Sequence, residues 1–253
     1  MSIRTYFASV FAFAILLMDV GCGGGSSDST VKVEVAKTSN DKTVYGMACD
    51  GCNDTIVIFL RLPYDGSNPD TLDILDASRN HQVFGTPHIG DRLAMVLNSH
   101  NPKVADLVVV TENLLGLWCY KVLPTLRHTA DMEGSVEQAI EQLPDSLRLL
   151  LDIEREYGFY IKNDSVAFPY GMSHRAATTD EESLIEYPMP KRYHQWLIHD
   201  GRLVLTTADF DSLGVQHVTG ADTVEFVTLT ADTLVLRFPD GEHGFYRKVD
   251  DIK

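Results

Sequence analysis

The sequence predicts an all-β protein: a small N-terminal β-barrel or sandwich, then a C-terminal up-and-down β-barrel that carries a short helical insertion. Three observations carry this expectation. From Val31 onward the chain is a succession of short runs rich in Val, Ile, Leu, Thr and aromatic residues. Turn-forming pairs such as Asp-Gly, Asn-Pro and Asn-Asp separate the runs, which is the punctuation of strands joined by tight connections. The main helical pattern is confined to residues 135–154. The 253 residues are 44% hydrophobic, enough for sizeable cores. Against 36 Asp+Glu stand 21 Lys+Arg, and the resulting net charge of −15 repels phosphate backbones, so nucleic acid is not an expected partner.

The first segment reads as an address. Arg4 supplies a short positive region, Phe7 to Met18 an apolar run of secretory length, and Gly21-Cys22 follows. This order resembles the lipoprotein signal peptides of Bacteroidetes, although Asp19 stands where such signals prefer an aliphatic residue. The resemblance implies residues 1–21 as a cleaved signal and a diacylglycerol on the Cys22 sulfur. It places the protein in the cell envelope, on the periplasmic or cell-surface face. An ordinary secretory signal with an incidental cysteine is the alternative. Residues 22–30, with Gly23-Gly24-Gly25-Ser26-Ser27, have the composition of a flexible tether. No later segment approaches the roughly 20 apolar residues of a spanning helix, so membrane contact is expected through the anchor only.

Residues 31–112 form the first β region. Its strand candidates are Val31–Lys37, Thr43–Ala48, Thr55–Leu62, Thr71–Asp76, Arg92–Asn98 and Val104–Val110. The pattern breaks at Glu112–Leu115, and Gly116-Leu117-Trp118-Cys119-Tyr120 opens the second region, 113–250. There Ser135, with Gln138 three residues on, has the signature of a helix cap for Val136–Leu143. Pro144 suits the first turn of a following segment, Asp145–Glu154. The strands then resume: Gly158–Lys162, Ser165–Pro169, Tyr193–His199, Leu203–Ala208, Val215–Thr219, Thr223–Thr230, Thr233–Phe238 and Gly244–Lys248. About eight strands is the number a closed barrel needs, and closure removes exposed sheet edges. Residues 173–190, with acids, two prolines and few apolar side chains, read as a long surface loop, either a rim to the barrel or a solvated excursion.

Residues 113–250 resemble a lipocalin-like domain of the kind found in Bacteroidetes lipoproteins. The resemblance is carried by Gly116-Leu117-Trp118, by Trp196-Leu197-Ile198-His199-Asp200-Gly201 and by Asp232-Thr233-Leu234-Val235-Leu236. It implies that Trp118 closes the barrel floor beneath Arg247, a cation–π pair contributing about 1 kcal/mol when partly shielded. It also implies a small hydrophobic ligand. The helical insertion after Trp118 departs from a simple lipocalin. Leu234, Leu236 and Phe238 share one face of their strand and are expected to point inward, with Tyr160, Trp196 and Phe226 as further lining candidates beside Trp118. The same aromatics would serve equally in a filled core. The protein would then act through surface contacts with a partner that the sequence does not identify.

Cys49-Asp50-Gly51-Cys52 is the other feature with chemistry in it. Its setting resembles the Cys-x-x-Cys segment of the new lipoprotein E family, associated with copper resistance. In an oxidising compartment a local disulfide is one reading. Metal handling is a second, though His81, His88, His100 and Cys119 offer no companion ligand spacing. A redox dithiol is the third, against which stand the flanking strands where a helix would be needed. Cys119 is expected to be a buried small hydrophobe. The chain has no phosphate-binding glycine loop, no dinucleotide fingerprint, no His-Glu-x-x-His and no Gly-x-Ser-x-Gly elbow. Glu181-Glu182 and Asp250-Asp251 read as solvated pairs, and His194 and His199 point to opposite faces of one strand. The expectation is a binding protein without enzymatic activity or cofactor.

Overall fold

The computed structural model describes residues 41–127, 135–163, 165–171 and 185–249. The signal, Cys22, the tether and the strand expected at Val31–Lys37 lie outside them, as do Glu181-Glu182, Asp250-Asp251 and most of the 173–190 loop. The described residues all belong to one compact unit.

The first six strands are β1 (Thr43–Ala48), β2 (Ile56–Arg61), β3 (Asp70–Asp73), β4 (Val83–Phe84), β5 (Arg92–Leu97) and β6 (Ala105–Val110). They make a mixed sheet in the order β3-β2-β1-β5-β6-β4, antiparallel except where β4 runs parallel to β6. One short helix interrupts the series and another follows it. In α1 (Leu75–Arg79) the run expected to be strand up to Asp76 turns helical after Asp73, whose carboxylate accepts from the Leu75 amide at 2.9 Å. In α2 (Thr111–Leu114) the chain breaks where the strand pattern breaks. One face of this sheet buries Val57, Phe59, Leu72, Leu93, Met95, Val108 and Val110 in a core of its own.

The second region contributes β7 (Gly116–Val122) and β8 (Thr125–Leu126), then α3 (Val136–Glu141) and α4 (Asp145–Arg148), the latter running into a 3-10 turn at Leu149–Asp152. The pattern around Pro144 allows two short helices or one kinked there, and the chain forms two. Ser135 caps α3 in a reciprocal box with Gln138, and neither helix buries a residue. Strands β9 (Arg155–Ile161), β10 (Ala167–Tyr170), β11 (Ile185–Glu186), β12 (Tyr193–His199), β13 (Arg202–Phe210), β14 (Gln216–Leu229), β15 (Thr233–Phe238) and β16 (Gly241–Lys248) complete the chain. Eight of them form an antiparallel sheet ordered β10-β9-β7-β16-β15-β14-β13-β12. Its two edges meet at a bridge between Val166 and Gln195 and a bond from the Trp196 amide to the Ser165 carbonyl, 2.9 Å. The result is a nearly closed barrel.

Two corrections to the expected strands cancel in the count. Val215–Thr219 and Thr223–Thr230 belong to the single strand β14, which passes through Gly220-Ala221-Asp222 without turning because β13 pairs with it along its whole first part, with one bulge at Thr207/Ala208. The Gly-x-Trp segment, expected only to open the region, is itself a strand, β7, paired to β9 and β16. The first sheet packs on the end of the barrel where β7 begins. Phe84, Ala94, Val109 and Leu114 join Trp118, Ile198, Leu203, Leu205, Val224, Phe226, Leu234 and Leu236 in one core, and the Gly85 amide donates to the Leu229 carbonyl at 3.1 Å.

Candidate functional site

At the end of the barrel against the first sheet, the floor is closed by Trp118 and Arg247. Strand pairing sets them opposite each other, Arg247 on β16 facing Trp118 on β7, and the guanidinium carbon lies 4.2 Å from the indole centroid. The Trp118 indole N–H donates to the Leu114 carbonyl at 2.7 Å. Arg247 donates to the carbonyls of Leu115, Asn113 and Ala231. It thus ties the β7 entry to the β14–β15 turn with one planar fork. Burial draws its pKa below the ordinary value.

Above the floor the interior is occupied by buried apolar side chains. Trp118, Phe226, Leu234 and Leu236 are packed into the core. Four of the residues expected to line a ligand site are therefore core side chains, buried against one another from facing strands. Trp196 belongs to the same core but also borders a cavity of about 330 Å³ at the seam between the sheets, with Tyr45, Arg92, Thr111 and Asn163. Tyr160 is a correction. Its neighbours Phe159 and Ile161 take the inward positions of β9, so strand alternation turns Tyr160 outward, where its ring meets Tyr170 and the Lys162 ammonium.

The upper half is open. A cavity of about 980 Å³ occupies the mouth, at the upper end of the range typical of small-molecule sites. Of the residues expected to bind, Phe238 borders it. Its wall is otherwise made by Tyr120, Phe159, Tyr193, Phe245 and Asp222, and the stretch Pro188-Met189-Pro190-Lys191 crosses its rim. The rings contact one another edge to face: Phe159–Phe245 at 5.2 Å, Tyr120–Phe245 at 5.5 Å and Phe159–Tyr193 at 5.9 Å. Tyr193 donates to Asp222 at 2.7 Å, and Lys191 Nζ reaches both Asp222 oxygens at 2.8 Å. Burial first, then the bond to Asp222, pushes the Tyr193 hydroxyl pKa far up. Burial also raises Tyr120. Both phenols are therefore neutral hydrogen-bonding groups at ordinary pH. The strap carrying Lys191 begins at Tyr187, whose hydroxyl donates to the Ile153 carbonyl at 2.7 Å and whose ring lies under Arg155.

Cys49 and Cys52 lie in the β1–β2 connection of the first sheet, whereas Cys119 is on β7 of the barrel beside Tyr120. Cys49 and Cys52 are half-buried thiols and Cys119 is buried. The Cys52 thiol donates to the Cys49 carbonyl at 3.2 Å and accepts from the Ile58 amide at 3.4 Å. Among the described residues, the cluster of metal-ligand type is Asp41, His199 and Asp200, with ligand atoms within 4.8 Å of one another, and neither member of the Cys pair belongs to it. Its carboxylates are engaged by backbone amides: Asp41 accepts from Thr43 at 2.9 Å and Asp200 at 3.1 Å, and Asp200 accepts from Lys42 at 2.8 Å. Burial opposes ionisation of Asp41, but these bonds outweigh it and hold its carboxyl below the usual range. The cluster ties the start of β1 to the β12–β13 turn. His194, at the other end of β12, packs on Phe210.

Comparison with family models, curated proteins and solved structures finds no match for this chain.

Proposed function

We propose that the chain is a lipid-anchored cell-envelope protein of lipocalin-like type whose barrel holds a small hydrophobic molecule. The observation that carries this reading is the contrast between the two halves of the barrel. The floor half is filled and plugged by the first sheet, whereas the mouth half keeps about 980 Å³ open behind an aromatic wall. A barrel that served only as a scaffold would gain stability by filling that space, because each buried methylene contributes about 0.8 kcal/mol. The Trp118–Arg247 pair, in the arrangement that the lipocalin resemblance implies, supports the family reading.

Native mass spectrometry of the chain from Ser26 onward, secreted into a bacterial envelope, tests it. A stoichiometric lipid-like adduct is expected. Phe238→Ala, at the cavity, should reduce its occupancy, whereas Tyr160→Ala, on the outer face, should leave it unchanged. A bare apo mass would favour the second reading, a non-enzymatic envelope protein acting through protein contacts. That reading has its own support in the β13–β14 tip, where Phe210, Leu213, Val215 and Val218 are exposed, Leu213 at 87%.

A further inference from the structure

The charged groups bordering the open cavity are Asp222, Asp240, Glu242, Lys121 and Lys191, and Lys121 is held by Glu154 at 2.7 Å. Along β14, Asp222, Val224 and Phe226 alternate onto one face. Val224 and Phe226 fill the core and Asp222 comes to the cavity wall. The other acids at the rim are occupied elsewhere. Asp240 lies 3.1 Å from the His243 ring nitrogen, and Glu242 pairs with Arg237 at 2.8 Å on the outer face of the hairpin. Among the described residues Asp222 is thus the carboxylate presented to the interior, only 17% exposed, and oriented by the Tyr193 hydroxyl.

Its present partner is informative. Lys191 is a primary ammonium on a four-carbon stem, seated on both Asp222 oxygens yet 63% exposed. So exposed a cation adds little to stability and can be displaced. The rings of Tyr120, Phe159, Tyr193 and Phe245 surround the space beneath, and aromatic faces favour a neighbouring cation. A carboxylate head group would meet Asp222 with like charge. We propose that the cavity takes an apolar primary amine, its ammonium replacing Lys191 on Asp222 and its hydrocarbon body lying among Tyr120, Phe159, Phe238 and Phe245. This rests on the reading of the cavity as a ligand site, and it gives Lys191 the role of a tethered competitor.

Calorimetric titration of the chain from Ser26 onward, which keeps the compact unit whole, with decylammonium, decanol and decanoate at neutral pH tests the proposal. Decylammonium should bind about tenfold or more tighter than the other two, the discrimination expected of a charge-assisted contact. Asp222→Asn should abolish that preference. Lys191→Met, at an exposed position that leaves the fold intact, should raise decylammonium affinity several-fold. Equal binding of the three probes, tighter binding of decanoate, or a weaker decylammonium complex in Lys191→Met would overturn the inference while leaving the cavity a ligand site. Binding of none of the probes would remove the ligand-site reading itself.

Discussion

Gly116 shows how one residue type can be required by two independent constraints. Its φ of +131° lies where side chains are strained, and a Cβ built there would run into Arg247 Nη1. The glycine of Gly-x-Trp therefore leaves the space that the arginine occupies over the indole. Gly116→Ala is expected to cost about 2–3 kcal/mol through backbone strain and displacement of Arg247. The urea midpoint should fall, and near-ultraviolet dichroism should report the changed surroundings of Trp118. The pairing of Trp118 with Arg247 was legible because both ends of the motif are chemically distinctive residues. The wall of the cavity was not legible. Tyr120, Tyr193 and Phe245 look like any core aromatic along the chain, and only the closure of the barrel shows which of them face open space.

The elements differ in how much of them local sequence determines. Ser135 and Gln138 specify the start of α3, and the capping box forms as the spacing predicts. Yet α3 buries nothing against the barrel, so its stability is its own. Ser135→Ala should lower local helix stability by about 1 kcal/mol. It should speed amide exchange over residues 136–142 and leave the global unfolding midpoint unchanged, because exchange there proceeds by local opening. Strand β14 is the opposite case. Gly220-Ala221-Asp222 has the composition of a turn, and only pairing with β13 keeps it extended. The residue that breaks the apolar alternation there, Asp222, is the one the barrel turns toward its cavity. The strand pattern failed at that point because Asp222 meets the open cavity on the face whose next two members, Val224 and Phe226, are core. The short β4 escaped notice for another reason: Val83-Phe84 is too brief to show a period and is held by its parallel pairing with β6.

Across the whole molecule, the first sheet and the barrel share a core. Phe84 meets Phe226 with ring centroids 5.3 Å apart, and Gly201 at the β12–β13 turn fits against Val96 and Leu107 of the first sheet, where a Cβ would be crowded. Phe84→Ala should therefore destabilise both sheets together by about 3–5 kcal/mol. Calorimetry should show one transition moving to lower temperature rather than an early loss of the first sheet alone. The tie among Asp41, Lys42 and Asp200 places the start of the described fold at the floor pole of the barrel, opposite the mouth. The first described residues and the open cavity therefore lie at opposite ends of the barrel.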